Sequence, residues 1–256
     1  MRLPPIRVEQ MREVDHLMVD DYGIALLQMM ENAGRSLAAL TRSLAGGAVA
    51  GAQVIVLVGP GNNGGGGLAA ARHLANWSAN VRVVLAVNPP LPSIAAEHQR
   101  LALLAMGLPG VDATTTADPR DLLTPGVIIV DALIGYSLQG APREPLASWI
   151  RASNATDTIR VALDLPSGLD GDSGSPHDPT FHADATLTLA WPKRGLLTPA
   201  ARDVAGALYV ADISVPEAVY NVVGAHRGAL FARGSIVRVQ PVEGGEWAPG
   251  EPLADA

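Results

Sequence analysis

Short runs of branched apolar residues recur along this chain, separated by stretches whose apolar positions return every three or four residues. Val54-Ile-Val-Leu-Val58 has no polar position at all, as in a strand buried on both faces. Comparable runs predict strands over 53–58, 81–87, 127–131, 159–164, 184–189 and 207–211, and the helical spacing predicts helices over 66–77, 93–106 and 142–153. Upstream, Val8, Met11, Val14, Leu17 and Met18 recur at helical spacing. Gly23 interrupts them, and Leu26, Leu27, Met30, Ala33, Leu37 and Leu40 resume the pattern, so residues 8–46 read as two helices. Strands alternating with helices imply a parallel sheet covered on both faces. From about Pro241 the chain turns rich in Gly, Pro and Glu. We therefore expect one domain over 1–240 and a disordered tail over 241–256.

The first strand runs into Gly59, Gly61, Gly64, Gly65, Gly66 and Gly67, with Asn62 and Asn63 among them, and a helical pattern at Leu68, Ala71 and Leu74 follows. Strand, glycine loop and helix together build an anion site, because glycine lets the backbone approach a phosphate and the helix start presents free N–H groups. Gly59, Gly61 and Gly64 fit G-x-G-x-x-G in the right context. The ordinary dinucleotide fingerprint also needs an acidic residue at the end of the next strand, and here that strand ends at Asn88. The asparagine pair is either a polar contact to a ligand or ion, or a turn that uses Gly and Asn for positive φ.

Two further strands, Val127-Ile-Ile-Val-Asp131 and Val161-Ala-Leu-Asp164, end in aspartate. Ligands in such sheets bind outside the carboxyl ends of the strands, which places Asp131 and Asp164 on one rim with the glycine loop. The same rim receives the glycine-containing loop at 135–141, Ser167 in the turn after Asp164, and Lys193 after the strand over 184–189. Oxygen donors from Asp131, Asn63 and Ser167 suit a hard, weakly charged cation; a helix cap or an ion pair is the other reading of Asp131. Asp172 reads as a turn residue, and Asp170 either as a turn residue or as a further polar group of the rim. Asn32 lies in an otherwise apolar helix, either solvated or aimed into the site.

Composition narrows the function. The chain has 256 residues, 48% hydrophobic and 4% aromatic, with a net charge of −7 and no cysteine. An acidic chain argues against a nucleic-acid partner, and thiolate metal sites and disulfides are excluded. No run of 18 apolar residues is present, so no membrane partner is expected. Without the apolar core of a signal peptide at the N-terminus, the expected location is cytoplasmic. The 6 histidines are scattered, and no Gly-x-Ser-x-Gly elbow occurs.

Seven motifs in order resemble one known family. They are Glu9-Gln-Met-Arg-Glu-Val-Asp15, Met30-Glu-Asn-Ala-Gly34, Gly59-Pro-Gly-Asn-Asn-Gly-Gly65, Val130-Asp-Ala-Leu-Ile-Gly135, Arg143-Glu-Pro145, Ala162-Leu-Asp-Leu-Pro-Ser-Gly-Leu-Asp170 and Pro192-Lys193. Over roughly residues 6 to 215 the chain resembles the NAD(P)H-hydrate epimerases, the YjeF N-terminal domain family. The resemblance implies an α/β, Rossmann-like three-layer αβα sandwich. It also implies epimerisation of R- and S-NAD(P)HX, the cofactor hydrated at nicotinamide C6, so that a separate dehydratase can restore NAD(P)H from the S form. Carried onto this chain, the substrate-binding residues are Asn62, Asn63, Gly64, Gly65, Gly66, Gly135, Tyr136, Ser137, Leu138, Gln139, Gly140, Ala141 and Asp164. The potassium ligands are Asn63, Asp131 and Ser167. A homodimer is expected, with Met29 and Met30 of the N-terminal helices on its surface.

The chain departs from the family pattern at three places. The family loop reads G-N-N-G-G-D-G, with its aspartate thought to serve catalysis, and this chain has Gly66 there. Tyr136-Ser137 stands where Thr-Gly is usual, and Trp191 precedes Pro-Lys. Inverting C6 needs a positioned acid or base, for which Asp164, Lys193 and Tyr136 are the candidates. Two alternatives stay open: a dinucleotide-binding homologue with impaired catalysis, and an isomerase or lyase acting on a different substrate.

Overall fold

The computed structural model describes residues 1–115 and 118–253. Two helices, α1 (Val8–His16) and α2 (Leu26–Leu44), are joined through a π-helical turn at Leu17–Asp21 and precede the sheet. Then follow β1 (Gln53–Val58), α3 (Asn62–Asn76), β2 (Asn80–Leu85), α4 (Ile94–Ala105), β3 (Val111–Asp112), β4 (Ile128–Ala132), α5 (Leu146–Asn154), β5 (Arg160–Leu163), β6 (Ala185–Leu189), α6 (Pro199–Ala205), β7 (Ala207–Ala211), α7 (Glu217–Val222), β8 (Ile236–Val242) and β9 (Glu246–Pro252). The described strands form one sheet in the order β3-β2-β1-β4-β5-β6-β7-β8-β9. Pairing is parallel from β3 to β7 and antiparallel at β8 and β9. The α/β layering expected from the alternating pattern is therefore what the chain adopts.

The continuous apolar runs have a simple cause. Val54, Val56 and Val58 of β1 pack with α2, α3 and α4, whereas Ile55 and Leu57 pack against Trp149 and Ile150 of α5 on the opposite face. Both faces of the central strands are covered, so no position is left for a polar side chain. A third cluster joins α1, Trp191, Tyr220 and Trp247 around the β7–β9 end of the sheet.

Two expectations are corrected. The glycine run, expected to be a loop with its helix from 66, instead belongs to α3, which begins at Asn62 and takes in Gly64, Gly65, Gly66 and Gly67. Close packing outweighs the low helix propensity of glycine: a Cβ on Gly64 would lie 2.1 Å from the Gly59 carbonyl oxygen, and one on Gly67 would lie 2.4 Å from Ala132 Cβ. The stretch from 241, read as disordered, instead contains β9, whose Trp247 is buried and pairs with Leu3 in an isolated bridge. Gly244 and Gly245, both at positive φ, close the β8–β9 hairpin. Residues 254–256 of that expected tail lie outside the described residues.

Candidate functional site

The chain reverses direction across the sheet between β1 and β4, the point at which open α/β sheets leave a crevice beyond their strand ends. A cavity of about 620 Å³ opens there. Its wall is built from the end of β1 and start of α3 (Pro60, Gly61, Asn62, Asn63 and Gly66), the segment after β4 (residues 133–139 and 141–144), Leu163 and Asp164 after β5, and Lys193. Met11 and Asp15 of α1 and Met29 and Met30 of α2 close it from the N-terminal side.

Each part is held by identifiable forces. Asn62 and Asn63 open α3, whose first N–H groups have no partner within the helix. The Asn62 amide oxygen accepts a hydrogen bond from Ser93 Oγ at 2.8 Å, and Ser93 in turn caps α4. The Asn63 amide donates weakly to the Leu163 carbonyl at 3.4 Å, bringing α3 against the end of β5. A Cβ on Gly135 would lie 3.1 Å from Asp164 Oδ2 and 3.2 Å from Asn63 Oδ1. Any larger residue at 135 would require one of those two side chains to shift by a few tenths of an ångström.

Asp164 sits one residue past β5 at φ +68°, in the left-handed region that aspartate tolerates better than most residues. Its Oδ1 accepts Lys193 Nζ at 2.5 Å, and its Oδ2 accepts the Tyr136 backbone N–H at 3.1 Å. Lys193 is fully buried and also donates to Leu189 O at 2.8 Å and Thr188 Oγ1 at 3.2 Å. The Tyr136 hydroxyl donates to Asp15 Oδ2. Burial is the main reason that the Asp15 carboxyl and the Tyr136 phenol are both raised above their ordinary values.

Asp131 lies one layer below. It is fully buried, accepting Ser167 N and Ser167 Oγ at 2.7 Å each and Leu133 N at 3.1 Å. Ser167 Oγ accepts Ile134 N at 2.9 Å. No cationic side chain pairs with Asp131 among the described residues, and burial pushes its carboxyl up to about 6. Without a cationic side chain, an ionised Asp131 is a buried charge held only by neutral hydrogen-bond donors, which is the one feature here that would favour a small cation nearby.

The structure thus brings most of the expected site residues together and leaves some outside. Asn62, Asn63, Gly66, Gly135, Tyr136, Ser137, Leu138, Gln139, Ala141, Asp164 and Lys193 line the cavity. Gly64 and Gly65 do not; they pack against Gly59 and Met30. Gly140 does not line it, and Asp131 and Ser167 lie beneath it. Asn63 is not hydrogen-bonded to Asp131 or Ser167. Asn32 points away and donates to Ser214 Oγ at 3.2 Å. Met29 and Met30 are buried in the cavity wall, which corrects their expected place on a dimer surface: the helix turns this stripe inward. Trp191 anchors the N-terminal segment through Nε1 to Pro4 O at 2.7 Å. Asp170 and Asp172 are turn residues, Asp172 accepting the first N–H of α1 at 2.9 Å. Sequence reasoning missed Asp15. Its signal was present, since Asp15 follows Met11 by four residues and precedes Met18 by three, which puts a carboxylate on the buried face of the first helical stretch.

Sheet order, switch-point cavity and glycine-rich helix start define a doubly wound α/β protein of the dinucleotide-binding type. Residues 26–195 match the family described as YjeF-related protein N-terminus, and the chain belongs to that family. It is 42% identical to the NAD(P)H-hydrate epimerase of Dehalogenimonas lykanthroporepellens over 94% of this chain and 95% of the relative. It is 39% identical to a bifunctional NAD(P)H-hydrate repair enzyme of Hyperthermus butylicus, over 91% of this chain but 44% of that longer protein. The crystal structure of the yeast protein YNL200c superposes with a TM-score of 0.78 at 25% identity, covering 91% of this chain and 99% of the yeast one. No described helix is long and apolar enough to cross a membrane.

Proposed function

We propose that this chain epimerises R- and S-NAD(P)HX, the hydrated forms of reduced nicotinamide dinucleotides. One observation carries the reading: a single cavity at the switch point collects the α3 start, the post-β4 segment and the buried Asp164–Lys193 pair, in a chain matching an epimerase along nearly its whole length. The free N–H groups of α3 suit the dinucleotide phosphates. Asp164 and Lys193 hold a fixed dipole at the floor, where the hydrated ring would lie.

Potassium is the cofactor that the donor set favours. Asn63, Asp131 and Ser167 would hold it, and the ion would neutralise the buried Asp131 charge and stiffen the segment after β4. The partner activity is a dehydratase specific for the S form. That pairing is supported by bifunctional relatives of which this chain spans less than half the length.

The test is a coupled assay. R-NADHX is mixed with an S-specific dehydratase, and NADH recovery is recorded with and without this protein. Recovery faster than spontaneous epimerisation is the expected outcome; recovery at the spontaneous rate would remove the enzyme reading and leave a dinucleotide-binding protein.

A further inference from the structure

The cavity contains six titratable side chains: Asp15, Tyr136, Arg143, Glu144, Asp164 and Lys193. Most have their protons committed. All three Lys193 N–H bonds are used, by Asp164, Thr188 and Leu189. Asp164 has both oxygens occupied by Lys193, Leu189 N and Tyr136 N. Arg143 stays protonated at any working pH. Glu144 is exposed at the rim, accepts Ser148 N at 3.1 Å and pairs with Arg151.

Asp15 and Tyr136 differ from all of these. The phenol donates to Asp15 Oδ2, which leaves the phenol oxygen with acceptor capacity. Asp15 Oδ1 has no hydrogen-bond partner among the described residues. The two groups come from different elements, and each is fixed independently. Asp15 rides on α1 beside the buried Met11, and the Tyr136 backbone is tied to Asp164. We infer that Asp15 and Tyr136 form the proton-exchanging pair of this cavity, with Tyr136 in contact with the reacting group and Asp15 as its proton store. The inference rests on the epimerase reading above.

The chemistry balances with one proton. Hydration leaves nicotinamide C6 bearing both a hydroxyl and the ring nitrogen N1. The C6 hydroxyl gives its proton to the phenol oxygen as the phenol proton passes to Asp15. The O–H electrons form the C6 carbonyl, and the C6–N1 pair moves to N1. The proton then returns from Asp15 through Tyr136 to N1, completing ring opening. Rotation about the C5–C6 single bond turns the other carbonyl face to N1, and the same steps in reverse close the ring with inverted configuration. Nothing is oxidised or reduced.

The test compares wild type with Tyr136→Phe and Asp15→Asn in the coupled assay, with NAD⁺ binding measured by calorimetry. Position 66 provides the control for a purely structural effect. Gly66 lines the same cavity, and a Cβ there touches the flexible end of Leu163, 2.9 Å away, so Gly66→Asp supplies a carboxylate from an element that carries neither member of the pair. We expect each single variant to lose about 100-fold or more in kcat, the usual worth of a positioned acid–base group, with NAD⁺ affinity unchanged. Adding Gly66→Asp to Tyr136→Phe should then restore at least tenfold. Activity within threefold of wild type in Tyr136→Phe would overturn the inference while leaving the epimerase reading in place. Loss of NAD⁺ binding in parallel with activity would also overturn it, by making the pair structural. A wild type with no activity would overturn both readings, and it would do so before any variant is made.

Discussion

Asp131 and Asp164 close the ends of neighbouring parallel strands, and both are buried, yet their surroundings are opposite. Asp164 has a cation built into the chain, Lys193 at 2.5 Å. Asp131 has only hydrogen-bond donors: two from Ser167 and one from Leu133. A buried charge must be neutralised, paired or protonated. The difference separates two kinds of buried charge in one site: at Asp164 the balance is built into the chain by Lys193, and at Asp131 no cationic side chain among the described residues supplies it. A fixed pair suits a floor that must keep its shape through the reaction. The potassium proposed above would supply the missing charge at Asp131 and would make the post-β4 segment responsive to ionic conditions.

The largest effect should come from breaking the fixed pair. Lys193→Met leaves Asp164 buried without its partner, a change worth about 3–5 kcal/mol, and thermal unfolding should show a drop on the order of 10 °C. Adding Asp164→Asn should recover part of that loss. If Lys193→Met alone unfolds at the wild-type temperature, Asp164 is balanced by something other than Lys193.

Next comes the pH response of Asp131. Burial pushes its carboxyl up to about 6 in the folded chain, above the ordinary 3.8. The folded state then binds a proton more tightly than the unfolded state. The stability from this group is complete below about pH 4 and is lost as pH rises through 6, up to roughly 3 kcal/mol. In choline chloride, denaturant midpoints should fall across that window. In potassium chloride the fall should be reduced, since a bound cation favours the ionised form. Equal stabilisation by potassium at pH 4.5 and 7.5 would show that the ion acts elsewhere.

A smaller effect is expected of Asp131→Asn. It keeps the volume but turns one acceptor into a donor facing N–H groups, at a cost of about 1–3 kcal/mol. It should also flatten both the pH step and the potassium response. The smallest is the stability change of Gly66→Asp, within about 1 kcal/mol. Relief from glycine favours it, and against that the end of Leu163 must give way to the new Cβ.

Much of this arrangement was readable in the chain. The apolar runs of β1, β4 and β5 mark strands covered on both faces, and of the aspartates after the latter two, Asp164 lines the rim cavity while Asp131 lies beneath it. What escaped depended on contacts distant in sequence. The helical state of residues 64–67 follows from backbone packing against Gly59 and Ala132, which no local propensity contains. β9 has a composition typical of disorder; Trp247 and the Gly244-Gly245 turn outweigh it by closing a hairpin on β8. The short β3 and the helices α6 and α7 were too short to carry a period. Asp15 was within reach, because its helical register with Met11 and Met18 already put a carboxylate on the buried face. Its partner Tyr136, 121 residues away, is what makes that register chemical rather than structural.

The most direct measurement starts from purified S-NADHX alone and follows the appearance of the R epimer by chromatography, with and without catalytic amounts of this protein in potassium buffer. The account predicts faster approach to an unchanged final R:S ratio, because a catalyst accelerates both directions equally. An unchanged rate, or a ratio that shifts in proportion to the protein added, would contradict it and mean that the cavity holds the dinucleotide without inverting C6.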